Sequence, residues 1–461
     1  MTIRIHDTIE RKKVPLTLRD AGAVSIYVCG PTVYDVPHVG HGRFAVAFDV
    51  VRRYLEWSGL AVRYVSNVTD VEDKIIARAA EAGSTESELA RQSEDAWWAA
   101  MDRLDVRKPD DIPHATEYIA RMLELIAELI DTDHAYVVDG SGVYFDVPSF
   151  PSYGALPHRT IEQLLDSAGA RVDVDEGKRT PIDFVLWKAA KPGEPAWDSP
   201  WGPGRPGWHI ECSAMSLDLL GEGFDLHGAG NDLVFPHHEN ERAQAEAAGH
   251  PFARHWIHSG MVEVGGQKMS KSLGNFQTLD EALDQHGSRA FRLAVLQTQY
   301  RKDMELGPSE LADAAKAVAR LDTVAVRAAN AGVTTDGAPL DEATMARFRA
   351  EMDDDFGTPG AVGAIFDAAN MANQAIDAGE TVRAASLLAT VRELAGALGL
   401  EVDATTGAVD DPEAEQLRHA RAEARASKDF AAADQARAEL IARGYDVEDL
   451  PDGTTQIRRR P

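Results

Sequence analysis

The chain has 461 residues, of which 44% are hydrophobic and 26% charged, a composition typical of a globular protein with several cores. Its formal net charge of −28 excludes a general polyanion binder of the histone type, although a local basic patch could still contact nucleic acid. The sequence has no run of about 18 apolar residues, no secretory h-region and only two cysteines. We therefore expect a cytoplasmic protein without membrane spans or a disulfide framework.

The first part of the chain has the pattern of a parallel α/β sheet. Residues 25–30 form a short β-prone run, residues 42–57 carry apolar side chains at helical spacing, and residues 60–67 fit a second strand. Strand, glycine-containing turn, helix and strand in this order open a doubly wound sheet. Such sheets bind ligands at the carboxyl ends of their strands, so the residues just after each strand are candidates for a site.

Two histidines stand where the first helix should begin. His38 and His41 are three residues apart and would face the same way beside the positive end of the helix. Gly40 has no Cβ, so a flat ring could lie against the backbone there. The arrangement suits a nucleotide triphosphate, although a four-residue pattern with two histidines also arises by chance.

The two cysteines lie far apart in sequence, each beside other metal-ligand types. Cys29 follows the first predicted strand, and Cys212, which belongs to residues 207–212 (Gly-Trp-His-Ile-Glu-Cys), is also expected at the end of a strand or turn. His237 and Glu241 are four residues apart, so they share a helix face, with Pro236 favourable in the first turn, whereas the neighbouring His238 and Glu239 should point elsewhere. Two thiolates, an imidazole and a carboxylate suit tetrahedral zinc. Isolated cysteines are also common as small buried apolar residues, and that interpretation stays open.

Further candidate positions follow other predicted strands. The stretch 67–74 (Asn-Val-Thr-Asp-Val-Glu-Asp-Lys) follows the second strand, and its acids could instead cap the next helix. Residues 225–232 fit a strand and glycine turn that ends at Asp232, which could hold a ribose hydroxyl or an ammonium group. Trp97 and Trp98 lie on an amphipathic helix and are interpreted as core or interface residues.

The remaining segments differ in character. Residues 116–205 have the pattern of an insertion, with a helix, two strands around a turn and a third strand. A glycine-rich loop with Lys268 and Lys271 follows the second α/β half. Beyond it, helical patterns cover 308–330, 341–351, 360–378 and 381–398, which predicts a helical bundle.

The last small unit has two predicted helices and a hairpin that turns at 451–453. Its first helix carries a basic stripe at helical spacing, which is either a solvated face or a phosphate contact. The stripe consists of Arg418, Arg421, Arg425 and Lys428.

Several motifs together resemble a known family. Residues 38–41 (His-Val-Gly-His) and 268–272 (Lys-Met-Ser-Lys-Ser) resemble the paired signature of class I aminoacyl-tRNA synthetases. Residues 27–34, 67–70, 207–215, 235–241 and the tail 426–454 are similar to the cysteinyl-tRNA synthetase family in particular. The likeness covers nearly the whole chain, with Val39 in place of the commoner isoleucine.

The resemblance implies specific roles for residues of this chain. It implies that Cys29, Cys212, His237 and Glu241 hold one Zn²⁺, and that Thr69, Trp208 and Asp232 line an amino-acid pocket. It also implies that ATP, bound with Mg²⁺, is contacted by His38, Gly40, His41, Lys268 and Lys271. The implied partners are L-cysteine, ATP and tRNA(Cys), and the implied state is a monomer. The basic stripe becomes a candidate tRNA contact.

The implied fold is a class I Rossmann-type catalytic domain split by an inserted connective domain, then a helical bundle and a small α+β anticodon-binding unit. The expected segments are 1–115 and 206–260 for the catalytic halves, 116–205 for the insertion, 261–307 for the lysine loop and stem-contact region, 308–400 for the bundle and 401–461 for the last unit.

Two other functions compete with this interpretation. A cysteine ligase of mycothiol biosynthesis would use the same adenylation chemistry with a small amino-sugar acceptor, but such an acceptor needs no unit after residue 400. A non-catalytic RNA-binding paralogue is disfavoured because the two histidines, two lysines and four metal-ligand candidates are all present.

Overall fold

The structure, a computed structural model, describes residues 2–168, 177–269, 276–403, 412–449 and 455–459. It divides into two compact units, and the first contains Met1–Ala315, Arg349–Val362 and Ala397–Gly399. The second contains Lys316–Phe348, Gly363–Gly396 and Leu400–Pro461. Of the helices within the described ranges, none is long and apolar enough to cross a membrane.

The first unit contains both strands and helices. Its strands are β1 (Arg4–Asp7), β2 (Lys12–Pro15), β3 (Ala23–Val28), β4 (Ala61–Ser66), β5 (Ala135–Val138), β6 (Gly142–Phe145), β7 (Phe184–Ala189), β8 (Gly204–Pro206), β9 (Leu226–Gly230), β10 (His255–Ser259), β11 (Val262–Val264), β12 (Gln267–Lys268) and β13 (Met304–Glu305). Its helices are α1 (Val39–Trp57), α2 (Asp73–Ala82), α3 (Glu86–Arg103), α4 (Ile119–Asp131), α5 (Ile161–Ala168), α6 (Trp208–Leu220), α7 (Glu239–Ala247), α8 (Leu279–His286) and α9 (Ser288–Leu296).

The predicted parallel sheet is present at the centre of the first unit. Its strand order is β10-β9-β3-β4, and every neighbouring pair is parallel. Helix α1 connects β3 to β4, as the sequence pattern indicates. Strand order reverses between β3 and β9, and the crevice outside the carboxyl ends at such a switch point is the usual ligand site of open α/β sheets.

The insertion forms its own antiparallel sheet, with strand order β5-β6-β7-β8. The predicted hairpin pairs Val138 with Gly142 across the turn. Gly142 has a φ of 136°, and a Cβ there would lie 1.9 Å from the carbonyl oxygen of Trp187. Only glycine therefore fits this crossing of neighbouring strands. The outer limits proposed for the insertion stay a prediction.

The C-terminal part of the chain is helical, as predicted. It contains α10 (Pro308–Asn330), α11 (Glu342–Asp353), α12 (Thr358–Asp377) and α13 (Thr381–Ala397), then α14 (Pro412–Ala426), α15 (Phe430–Ala442), β14 (Tyr445–Asp449) and β15 (Thr455–Arg459). Strands β14 and β15 pair antiparallel, while the predicted turn at 451–453 lies outside the described residues. Ala414, Leu440, Tyr445 and Ile457 form the small core that packs this hairpin on the two helices.

Asp355 joins distant segments of the first unit. Its fully buried carboxylate accepts hydrogen bonds from the backbone N–H of His6 (2.7 Å), the hydroxyl of Tyr300 (3.0 Å) and Nε of Arg301 (2.6 Å). Removing it would leave buried donors without an acceptor, which costs far more than the loss of an exposed ion pair.

We predict that Asp355→Ala lowers the free energy of unfolding of the first unit by about 3 kcal/mol. The matched control is the adjacent Asp354→Ala, which removes an ion pair to Lys13 whose carboxylate side chain is 59% exposed. Such pairs contribute at most about 1 kcal/mol. Urea denaturation measures both variants, and equal losses would contradict the role given to Asp355.

Candidate active site

Four candidate metal ligands converge at the carboxyl edge of the parallel sheet. Cys29 follows β3, Cys212 lies in α6, and His237 and Glu241 lie before and within α7; all four are buried. One ligand atom from each lies within 4.8 Å of the other three. The two sulfurs are 3.9 Å apart, and Nε2 of His237 is 3.1 Å from Oε1 of Glu241. Both cysteines are free thiols.

The chemistry of this cluster fits a bound cation. Desolvation, followed by the neighbouring Cys212, raises the pKa of Cys29 well above its usual value. Desolvation also raises the pKa of Glu241 and lowers that of His237 far below its usual value. The groups alone are therefore held neutral, and a positive charge among them would favour the thiolates and the carboxylate. The sulfur separation is close to the edge of about 3.8 Å expected for a tetrahedron with Zn–S bonds of about 2.3 Å.

The expectation that His238 points away from the cysteines is wrong. Its Nε2 lies 3.2 Å from Sγ of Cys29, and a second group of possible ligands consists of Cys29, His227, His238 and Glu241. The reason is that side chains three residues apart share a helix face as well as those four apart. His238 has helical φ and ψ of −65° and −35°, and its Nε2 lies 3.9 Å from Oε1 of Glu241, three residues later.

Glu239, by contrast, does face elsewhere. Its carboxylate accepts hydrogen bonds from the backbone N–H groups of Gly154 (2.9 Å) and Leu156 (2.8 Å) and pairs with Arg242. It therefore fastens α7 to the segment after β6. Cys212 also differs from the expectation, because it lies inside a helix rather than at the end of a strand or turn.

His227 is a possible ligand that sequence analysis missed. It lies within β9, is fully buried, and places Nε2 2.8 Å from Oε2 of Glu241. A lone histidine in a buried strand requires a polar partner, but the sequence does not say which one. Since metal-ligating carboxylates are usually hydrogen-bonded by an outer group, His227 suits that role toward Glu241.

The predicted pocket residue Thr69 lies next to the metal ligands. Its hydroxyl donates to Oε2 of Glu211 (3.0 Å) and accepts from Nδ2 of Asn67 (3.3 Å). Oδ1 of Asn67 accepts from the backbone N–H of Gly30 (2.9 Å) and lies 3.7 Å from Sγ of Cys212. The ends of β3 and β4 and helix α6 are thus joined by one polar network.

Trp208 and Asp232 occupy opposite surroundings. The ring of Trp208, at the start of α6, lies 4.3 Å from that of His237, centroid to centroid, so it covers one candidate ligand. Asp232 follows β9 and is exposed. The structure therefore places Trp208 against the candidate metal ligands and leaves Asp232 open to solvent.

The two histidines of the first motif are stacked. His38 caps α1, and its ring lies 3.7 Å from that of His41 with 19° between the planes. Nδ1 of His38 accepts from the backbone N–H of Gly40 (3.1 Å), and Nδ1 of His41 accepts from that of His38 (3.2 Å). An accepting nitrogen carries no proton, so each neutral ring carries its proton on Nε2.

Gly40 is required by this arrangement. A Cβ at Gly40 would lie 2.9 Å from Cε1 and 3.0 Å from Nδ1 of His38. The flat ring predicted to lie against this glycine is thus, in the protein alone, that of His38. Of the two predicted lysines, Lys271 and the side chain of Lys268 lie outside the described residues.

The basic stripe is not a single solvent-facing row. Arg421 is buried, and its guanidinium donates to Oγ1 of Thr455 (3.2 Å), because this face of α14 packs on β15. Lys428 lies beyond the end of α14 and is exposed, with a φ of 63°. The prediction of one continuous stripe that includes Arg421 is therefore wrong, whereas Arg418, Arg425 and Lys428 stay candidates.

Comparison with known proteins identifies related sequences over the whole chain. Residues 16–316 match the model for tRNA synthetases class I (C), catalytic domain; residues 347–403 match the DALR domain; and residues 411–458 match the cysteinyl-tRNA ligase anticodon binding domain. The cysteine–tRNA ligase of Halorhodospira halophila is 48% identical and covers 99% of this chain and 100% of its own length. That of Alkalilimnicola ehrlichii is 46% identical with the same coverage.

Solved structures show the same fold at low sequence identity. Mycobacterium tuberculosis methionyl-tRNA synthetase bound by methionyl-adenylate aligns with a TM-score of 0.63 and 18% identity, covering 89% of this chain and 96% of that one. A putative arginyl-tRNA synthetase from Campylobacter jejuni aligns with a TM-score of 0.56 and 15% identity, covering 83% and 94%. The predicted fold class is confirmed.

His41 makes the stability of this region depend on pH. Desolvation, with a smaller contribution from His38, lowers the pKa of His41 to about 3. The unfolded chain binds a proton near pH 6.5 and the folded chain does not, so stability is full above pH 6.5 and falls as the pH drops toward 3.

We predict that His41→Asn, which keeps an acceptor near the position of Nδ1 but cannot be protonated, loses less stability than the parent protein between pH 7 and pH 5. The difference in the free energy of unfolding lost is about 1–2 kcal/mol. Urea denaturation at both pH values measures this difference in two proteins that share every other titrating group. An identical pH dependence in the variant and the parent would contradict the shifted pKa.

Proposed function

The chain belongs to the cysteine–tRNA ligase family of class I aminoacyl-tRNA synthetases, and we propose from this premise that it joins L-cysteine to tRNA(Cys) in two steps. The observation that carries the proposal is the meeting of two thiols, an imidazole and a carboxylate at the sheet edge. A ligase that must distinguish cysteine from serine needs a chemical difference, because a pocket separates such similar sizes poorly.

Cys29, Cys212, His237 and Glu241 would hold one Zn²⁺ per chain at the base of the amino-acid pocket. When bound there, the ion supplies a soft Lewis acid that accepts the substrate's thiolate and discriminates against a serine hydroxyl. The burial of all four side chains supports this choice, since it excludes competing water from their ligand atoms.

In the first step the carboxylate of cysteine attacks the α-phosphorus of ATP. The products are cysteinyl-adenylate and pyrophosphate, and negative charge grows on the phosphoryl oxygens. His38 and His41, with neutral rings that carry protons on Nε2, would donate to these oxygens, and Lys268 and Lys271 would add positive charge alongside the Mg²⁺ of the nucleotide. No side chain has to act as a nucleophile.

In the second step a hydroxyl of the terminal ribose of the tRNA attacks the adenylate carbonyl, and AMP leaves. The C-terminal unit, α14 to β15, would bind the anticodon end, and Arg418, Arg425 and Lys428 are the basic candidates for backbone contacts. Arg421 is left out because its side chain is buried against β15.

We predict that Cys212→Ser weakens zinc binding by more than about 100-fold and abolishes cysteine-dependent ATP–pyrophosphate exchange. The control is His238→Gln, which lies in the alternative ligand group and should keep exchange and bind zinc at most about 10-fold more weakly. Competition with a chromophoric chelator measures the affinity. Stronger loss in His238→Gln than in Cys212→Ser would assign the metal to the group with His227 and His238.

The acceptor decides between the proposal and the closest competing function. We predict that protein incubated with labelled cysteine and Mg·ATP transfers label to tRNA(Cys) and not to the amino-sugar acceptor of mycothiol synthesis. Label on the amino-sugar alone would identify the protein as the small-acceptor ligase instead. The absence of both cysteine-dependent pyrophosphate exchange and label transfer would favour a non-catalytic paralogue. Exchange supported equally by serine would contradict selection by the metal.

A further inference from the structure

Four aromatic rings from three separate segments form a row around the histidine pair. Phe276, in the segment before α8, meets His38 edge to face at 5.5 Å and 76°. His38 stacks on His41, and His41 meets Trp97 of α3 at 5.4 Å and 69°. The outer two rings thus each contact one member of the stacked pair, Phe276 on His38 and Trp97 on His41, and we call these two rings the bracket.

Backbone contacts fix the position of Phe276 relative to α1. The N–H of Val39 donates to the carbonyl of Gln277 (3.3 Å), and the N–H of Leu279 donates to that of Pro37 (3.0 Å). His38 and Thr278 also form an isolated β-bridge. The segment that follows the lysine loop is thereby held against the first residues of α1, with Phe276 at its start.

Trp97 is fixed at the other end of the row. Its side chain is only 7% exposed, and α3 is tied to α8 by ion pairs from Arg103 to Asp280 and Asp284. Helices α3 and α8 thus hold Trp97 and Phe276 on the two sides of the histidines. The sequence pattern indicates only a core or interface position for Trp97, and no motif points to Phe276.

The bracket restricts rotation of the two imidazole rings. Each ring keeps Nδ1 toward a backbone N–H and presents its Nε2 proton elsewhere. A half-turn of the ring about χ2 would put Cδ2 in the place of Nδ1 and Cε1 in the place of Nε2, so that both contacts would be lost. His41 is in contact with two rings at once, His38 at 3.7 Å and Trp97 at 5.4 Å, so such a turn requires these neighbours to move. In phosphoryl chemistry a displacement of about 1 Å can cost about 100-fold in rate.

We propose that Trp97 and Phe276 are positioning residues for adenylate formation, which hold His38 and His41 in one orientation toward the phosphates of ATP. This inference rests on the proposed function, because it requires the histidines to act on ATP. Neither bracketing ring carries a group that has to contact the nucleotide, so the effect on rate passes through the imidazoles.

The test compares Trp97→Leu and Phe276→Leu with the parent protein in rapid-quench measurements of adenylate formation. We expect kcat to fall about 10- to 100-fold while KM for ATP changes less than about 3-fold. Trp97→Phe, which restores an aromatic ring, should recover the rate to within about 3-fold. Transfer of cysteine from preformed adenylate to tRNA should be unchanged, because the triphosphate has already been cleaved.

The matched control is Trp98→Leu in the same helix. Trp98 donates from Nε1 to Glu94 (3.0 Å) and packs on a core cluster with Val33, Val68 and Ile75. We expect it to lower the melting temperature without a selective loss of adenylation. Equal kcat values in Trp97→Leu and Trp98→Leu, failure of Trp97→Phe to restore the rate, or equal losses in adenylation and transfer would each overturn the inference.

The outcomes also separate this inference from the proposed function. A parent protein without cysteine-dependent pyrophosphate exchange would refute the proposed function itself. If the parent protein and the Phe276→Leu variant exchange pyrophosphate at the same rate, the positioning role of the bracket is refuted while the proposed function stands. Phe276 is partly exposed, so this variant keeps the test decisive if Trp97→Leu fails to fold.

Discussion

The structure depends on the burial of four ionisable groups at one end of a parallel sheet. Two thiols, an imidazole and a carboxylate meet with their ligand atoms within 4.8 Å of one another, and each of them is almost fully buried. Burial alone favours the neutral form of each group, which leaves His237 able to bind a cation but disfavours the thiolate and carboxylate forms of Cys29 and Glu241. In the proposed function, a divalent ion would favour the thiolates and the carboxylate, so that these buried groups would form a metal site.

The topology of the sheet explains why the two halves of the proposed chemistry are neighbours. Strand order reverses between β3 and β9, and Cys29 and the histidine pair both follow β3 along the chain. The metal cluster and the start of α1 therefore belong to the same edge of the sheet. In the proposed function, a substrate thiol at the cluster and nucleotide phosphates at α1 would therefore be bound at one edge of the sheet, as the joining of two reactants requires.

Sequence patterns predicted the features that depend on residue spacing within one segment, namely the positions of helices and the pairs of residues that share a helix face. The apolar periodicity located α1 and α10, and the four-residue spacing paired His237 with Glu241. Contacts between distant elements were not predictable: the sequence did not show that Cys29, which follows β3, lies 3.2 Å from His238, or that β15 covers the face of α14 that carries Arg421. Cys212 was assigned to a strand or turn end although it lies in a helix, because short motifs do not encode their own secondary structure.

The central claim is that the buried cluster binds zinc and presents it to the substrate's sulfur. X-ray absorption at the zinc edge, recorded on the purified protein with and without L-cysteine, counts the sulfur ligands directly. The account predicts two sulfurs in the free protein, from Cys29 and Cys212, and three after L-cysteine is added, with no change on addition of L-serine. An unchanged sulfur count with L-cysteine, or a free protein with a single sulfur ligand, would contradict it.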